Sequence, residues 1–233
     1  MFTNIVDNIY ILYSNDDEKN RICIYLQNYN FNYKLFKSDE TFIEKNKKNV
    51  NNIYFNKYIK FYKNYKLNKN QISHINSIKN ILLDAKNNNY KSIMILEYDI
   101  YFHKNIEEKI KQYENIINNC DIIHLGSSQS FWYNPIDKTK IDYKNKYYIN
   151  NHSLGTFAII LKQNIFDIYI LYLSTYTLPS DIILTIVSKQ FNSIVIYPNI
   201  VICDISKSSI LKNRDSIKTF IKFKWNKNNY SLK

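Results

Sequence analysis

Glu97 and Asp99 stand one residue apart at the end of a short unbroken apolar run, Ile93-Met-Ile-Leu96. Such a run suits a strand buried on both faces, and in open α/β sheets ligands gather beyond the carboxyl ends of the strands. If the chain stays extended there, residues two apart point the same way. Both carboxylates can then face one divalent cation while Tyr98 packs on the other side. A strand followed by a polar turn is the plainer alternative. Ser73 and His74 lie in the first turns of a helix expected just upstream and point toward the same strand end if helix and strand form a βαβ unit. A partly buried histidine satisfied by a neighbour accounts for His74 equally well. Asp181, in Pro179-Ser-Asp181 ahead of a periodic apolar stretch, reads either as a helix cap or as an acid able to take a proton.

The elements that must position these residues alternate between strand and helix. Asn8–Tyr13 reads as a buried strand, Asp17–Tyr29 as a helix and Asn32–Lys37 as a second strand followed by polar Ser38-Asp39-Glu40-Thr41. Arg21 falls in the first two turns of that helix, where a solvated surface arginine is the ordinary expectation. After a charged loop at 44–52, residues 53–66 interleave Tyr54, Tyr58, Phe61, Tyr62 and Tyr65 with lysines at helical spacing. That pattern makes either a core face with a basic edge or a stacking platform for nucleic acid. A helix follows over 70–85, capped by Asn68 or Asn70. Next come the acidic strand, a helix to Asn118 opened by an Asn105/Glu108 capping box, and a strand over 121–126. Residues 127–151 are polar and aromatic without period, as binding loops are. A strand over 155–161, helices over 163–172 and 182–191, and a last core strand at 194–197 complete the alternation, ahead of a Lys-rich tail.

Composition narrows the function. A chain of 233 residues, 45% hydrophobic, buries one sizeable core. Two glycines exclude a P-loop, a dinucleotide fingerprint and a nucleophile elbow, each of which needs several. A nucleotide would have to be held another way, and a metal bridging its phosphates is the obvious substitute. The net charge of +12 argues only weakly for nucleic acid, because Lys, Asn, Ile, Tyr and Phe are together in excess, as AT-rich codons produce. The three cysteines have no metal-type spacing and read as reduced thiols. The first residues lack the basic start and apolar core of a signal peptide, and no stretch suits a bilayer, so a soluble, cytoplasmic protein is expected.

In their order, several pieces resemble glycosyltransferase family 25, the lipopolysaccharide and collagen galactosyltransferases. They are Ile9-Tyr-Ile-Leu with Arg21, Ser38-Asp39, Gln71-Ile-Ser-His74, Ile95-Leu-Glu-Tyr-Asp-Ile100, Ile123-His-Leu-Gly126, Gly155-Thr-Phe-Ala158 and Pro179-Ser-Asp181. The resemblance covers about residues 7–204. Tyr98 stands where the family has the middle of three acids, and family glycines after Asp39 and before Ser73 are missing. The resemblance implies an α/β, GT-A-type Rossmann-like fold with a central, mostly parallel sheet flanked by helices. It implies a domain over 1–204 and a basic extension over 205–233, packed on it or trailing from it. Glu97 and Asp99 are then the metal ligands, for Mn²⁺ or Mg²⁺. Ile11, Arg21, Asp39, Ser73, His74, Tyr98, Gly155 and Thr156 are the expected contacts to a UDP-hexose, and Asp181 is the expected catalytic base.

The activity so implied is inverting transfer of galactose or glucose from a UDP-sugar to a hydroxyl of a glycan or protein. Two other readings stay open: a catalytically degenerate transferase fold, pointed to by Tyr98 and the missing glycines, and a basic nucleic-acid-binding module, pointed to by the charge and by residues 53–66.

Overall fold

In the computed structural model, the residues described are 2, 5–39, 56, 60, 65–128, 141–142, 144, 146–149, 153–205, 218, 221, 223 and 225–232. The charged loop at 44–52, nearly all of the aromatic and lysine stretch at 53–66, most of 127–151 and much of the tail lie outside them.

The strand β1 (Asn8–Tyr13) has the expected bounds, and Asn15 caps the helix α1 (Asp16–Leu26) by accepting from the Glu18 amide at 3.0 Å. β2 (Lys34–Lys37) follows. Helix α2 (Lys69–Asn87) opens on a full capping box, in which Asn68 and Gln71 each satisfy the other's backbone N–H. β3 (Ser92–Glu97) then ends at its acid. Tyr98 and Asp99 form a turn into β4 (Ile100–Phe102) instead of continuing the extended chain. Helix α3 (Ile106–Asn118) starts without a side-chain cap, so the expected Asn105/Glu108 box does not form.

β5 (Ile122–His124) leads to two short strands in the aperiodic segment, β6 (Ile141–Asp142) and β7 (Tyr147–Ile149). Then come β8 (Ala158–Lys162), α4 (Phe166–Leu173), α5 (Ser180–Ser188), β9 (Ser193–Ile196) and β10 (Val201–Cys203), the last unforeseen in the sequence.

Eight of these strands form one sheet in the order β2-β1-β3-β8-β5-β9-β7-β6. β8 and β7 run against the other six, so the sheet is mixed but mainly unidirectional. The period-two alternation of the central strands divides the core into two layers. Ile9, Ile11, Met94 and Leu96 face α1 and α3, while Tyr10, Leu12, Ile93 and Ile95 face α2, α4 and α5. Ile93 to Leu96 have no exposed surface, and burying each such side chain is worth ~1.5–3 kcal/mol. β4 and β10 pair antiparallel beside the first layer. Beyond residue 204, Phe223, Trp225 and Tyr230 are buried in that same layer, with Trp225 edge-on to Phe157 at 5.9 Å. No helix among the described residues is long and apolar enough to cross a membrane.

Candidate functional site

The carboxyl ends of β1, β2 and β3 meet the start of α2, and this junction is polar. Because β8 runs against β3, it is the beginning of β8 that reaches the end of β3. Gly155 and Thr156, just before β8, therefore arrive beside Glu97. Gly155 has φ +104, and a Cβ there would come within 2.9 Å of the Phe157 ring, so the turn that delivers Thr156 requires glycine.

His74 is the hub. His74 Nε2 lies 3.3 Å from Glu97 Oε1, and in the tautomer that carries its proton on Nε2 the ring donates to this oxygen. In the neutral ring Nδ1 then accepts from the Ser180 hydroxyl at 2.8 Å. Thr156 Oγ1 donates to the same Glu97 oxygen at 3.2 Å. Burial acts to lower the His74 pKa, but the hydrogen bond to Glu97, its charge and that of Asp181 outweigh it and hold the value above the ordinary one.

His74 and Glu97 border two cavities. The first, about 250 Å³, lies over the ends of β1 and β3 and is also lined by Tyr13, Ser38, Ser73 and Tyr98; among the described residues it further takes in Glu18, Glu97 and Lys69. The second, about 310 Å³, opens on the other side between Tyr65, Thr156, Phe157 and the Ser180-Asp181 start of α5. The His74–Glu97 pair is thus the wall between them.

Pro179, not Ser180 or Asp181, occupies the cap position of α5. Asp181 sits in the first turn, where its Oδ1 accepts from the Ile182 amide at 2.8 Å. Burial holds its pKa above the ordinary value, and the charge of Glu97 adds to this against the Ile182 amide and His74. The loop before α5 is fixed by Tyr176, at φ 49, whose hydroxyl donates to Asn76 at 2.6 Å and accepts from Lys79 at 2.7 Å.

Asp99 follows the end of β3 in the turn at 98–99 and lies in neither cavity lining. It is 7% exposed, and its Oδ1 has no hydrogen-bond partner among the described residues. Burial, then the charge of Glu97, holds its pKa well above the ordinary carboxylate range, and Arg21 opposes them. Arg21 lines neither cavity; its Nη2 donates to Tyr101 at 2.6 Å and to Asp204 at 2.9 Å. Tyr98 remains at the first cavity, with its phenol held protonated by burial, then by the charges of Asp99 and Glu18. Ser73 joins Ser38 at 2.9 Å. Asp39 is tied down by Asn80, which donates to its Oδ2 at 2.8 Å, and by Ser77, which accepts from its amide at 2.9 Å. Ile11 is wholly buried in the α1–α3 layer.

Of the residues singled out in the sequence, the structure therefore gathers Ser73, His74, Glu97, Tyr98, Gly155, Thr156 and Asp181 around the two cavities, and sets Ile11, Arg21, Asp39 and Asp99 outside their linings. Reading the sequence did not single out Tyr101 or Asp204. The only signal for Asp204 was its place after the short apolar run Val201-Ile-Cys203.

No group of three or more His, Cys, Asp or Glu side chains among the described residues is arranged to hold a metal ion. The buried, unpartnered Asp99 Oδ1, with Glu97 close enough to raise its pKa, nonetheless has the chemistry of a partial oxygen site for a hard cation. No protein-family model matches the chain, and no curated protein matches its sequence.

Proposed function

We propose that this protein is an inverting, metal-dependent glycosyltransferase that moves a hexose from a UDP-sugar to a hydroxyl of a glycan or protein. The observation that carries this reading is the pair of cavities at the strand ends, divided by two side chains, His74 and Glu97. A transferase needs a donor and an acceptor brought to one point from two sides.

In this reading the first cavity takes the nucleotide. Among the described residues its lining sets two carboxylates, Glu18 and Glu97, beside Lys69 and the His74 ring. The two carboxylates oppose a bare diphosphate, so donor binding is expected to require a divalent cation. Glu97 and Asp99 are the residues that would hold that cation, and Mn²⁺ or Mg²⁺ there would neutralise charge on the departing UDP. The acceptor enters the second cavity. As its oxygen bonds to the anomeric carbon, the bond from that carbon to the β-phosphate oxygen breaks and UDP leaves with the electron pair. The hydroxyl proton passes to Asp181, whose raised pKa suits a base. His74 and Thr156 fix Glu97 between the two compartments.

The test is calorimetric titration of UDP with and without Mn²⁺. Binding that requires Mn²⁺ supports the reading, whereas absence of binding in both conditions overturns it. The burial of Asp99 outside both linings favours a second reading, a transferase fold without turnover. That alternative predicts a folded protein to which UDP does not bind.

A further inference from the structure

Three serines, Ser38, Ser73 and Ser77, meet where the end of β2 adjoins the start of α2, and their contacts fix the direction of each hydroxyl proton. Ser77 is buried; its hydroxyl donates to the Ser73 carbonyl at 2.8 Å and accepts from the Asp39 amide at 2.9 Å. Its one proton is therefore committed within α2. Ser38 Oγ lies 3.2 Å from Ser77 Oγ and 2.9 Å from Ser73 Oγ. Because Ser77 has no second proton, Ser38 must donate in the first of these contacts, and Ser73 must then donate to Ser38 in the second. One set of directions satisfies every contact, and in it none of the three hydroxyls keeps a proton to offer outward.

Ser38 and Ser73 line the first cavity, and Ser77 lies behind them, outside its lining. The pair thus shows a ligand oxygen lone pairs alone. Such a surface accepts from a hydroxyl or an N–H and has nothing to give a phosphate oxygen, which also only accepts. The sheet order β2-β1-β3 sets Ser38, just past β2, two strands away from Glu97 at the end of β3, about 10 Å at the usual spacing of strands. With the anomeric carbon at the His74–Glu97 wall and the diphosphate next to it, the nucleoside is the part of the donor that reaches this far.

Resting on the first cavity as the nucleotide site, we infer that Ser73 accepts a hydrogen bond from a ribose hydroxyl and so selects ribonucleotides over deoxyribonucleotides. Ser73 is the contact, and Ser38 and Ser77 are positioning residues that keep its proton turned away from the ligand. A nucleotide lacking that hydroxyl leaves the Ser73 oxygen covered and without a donor, which is how a site built around one polar group rejects the analogue that lacks it.

The experiment is calorimetric titration of UDP, 2′-deoxy-UDP and 3′-deoxy-UDP at saturating Mn²⁺. Wild-type protein is expected to bind one of the two deoxy analogues about three- to tenfold more weakly than UDP, the range of a single neutral hydrogen bond. Ser73→Ala is expected to weaken UDP by a similar factor and to bring UDP and that analogue within about twofold of each other, as a double-mutant cycle requires of two groups that touch. Ser77→Ala frees Ser38 to donate to Ser73, which turns the Ser73 proton into the cavity. That variant is expected to weaken UDP and to lose the discrimination, although Ser77 itself meets no ligand. A merely structural role for Ser77 would weaken all three nucleotides alike and leave the discrimination in place.

Equal binding of the three nucleotides by wild-type protein overturns the inference without any variant, and so does discrimination that survives in Ser73→Ala; in both cases the nucleotide site stands. Wild-type protein that fails to bind UDP at all overturns the nucleotide reading, and the role of Ser73 with it.

Discussion

Asp99 and Asp181 are both buried acids with raised pKa values, but the cause of the shift sets them different tasks. Asp99 has an oxygen with no donor and a carboxylate for neighbour, so its ionised form costs the fold. The sign follows from the raised folded-state value. Stability is complete below the ordinary carboxylate pKa of 3.8 and is lost as pH rises toward the folded value. Asp99→Asn is therefore expected to raise the melting temperature at neutral pH, each kcal/mol being worth about 2–4 °C in a chain of this size. The same change is expected to abolish Mn²⁺-dependent UDP binding. Thermal unfolding and calorimetry on one preparation check both, and a lowered melting temperature would contradict the assignment of strain to Asp99. Asp181→Asn should leave UDP affinity within about twofold of wild type while cutting the transfer rate by ~10²–10⁴, the usual contribution of a general base. Rate measurements at saturating donor separate the two effects. Loss of UDP affinity in that variant would place Asp181 in donor binding instead.

Among the elements, α2 has the most to hold, since its second turn supplies Ser73 and His74 and its last turns must fix the helix against the sheet. Near its end Asp84 accepts from Tyr10 of β1 at 2.6 Å and from Lys34 of β2 at 2.8 Å on both oxygens. Burial works to raise the Asp84 pKa, but the bonds from Lys34 and Tyr10 and the charge of Lys34 bring it below the usual value. A lowered folded-state value means stability that is present above pH 3.8 and lost as pH falls through the folded pKa. Lys34 is 47% exposed, so the stabilisation is expected to be ~1 kcal/mol or less. Asp84→Asn should flatten that acid limb in a series of melting curves between about pH 2 and 5; an unchanged slope would show that other carboxylates set it. Elements of this kind were legible from the sequence because their signals are local. Asn68, one of the two asparagines expected to cap α2, does so, and an apolar run bounded by polar residues marks β1. The Glu97/Asp99 geometry was not legible, because alternation predicts a shared face only while the strand continues, and here a turn at 98–99 cuts it. β6, β7 and β10 escaped notice because two or three residues carry no period, and their pairing is decided by distant partners. Asp204 could be found only once β10 had been found.

At the scale of the whole molecule, the second cavity depends on residues far along the chain. Phe157 lines it, Trp225 packs edge-on against Phe157, and Gly126 leaves room for that ring, since a Cβ there would fall 2.6 Å from it. Trp225→Ala removes a 6%-exposed side chain and should cost about 3–5 kcal/mol. Chemical denaturation measures the loss, and a cost below ~1 kcal/mol would mean that the segment contributes little to the core. Among the described residues of the first cavity, Lys69 faces two carboxylates, so the net charge of +12 is not concentrated there.

The antiparallel β8 has one more effect, on how the protein is assembled. It is the strand through which β2-β1-β3 on one side joins β5-β9 on the other. Until residues 158–162 leave the ribosome, the nascent chain holds strands of both halves with nothing to connect them. The edges of β3 and β5 that will later flank β8 are then open, and both are made of residues without exposed surface in the finished fold, such as Ile95 and Ile123. Open apolar edges are templates for pairing between chains. Slow synthesis through the segment before β8 would lengthen that exposure, so yield of soluble protein should fall as translation there slows.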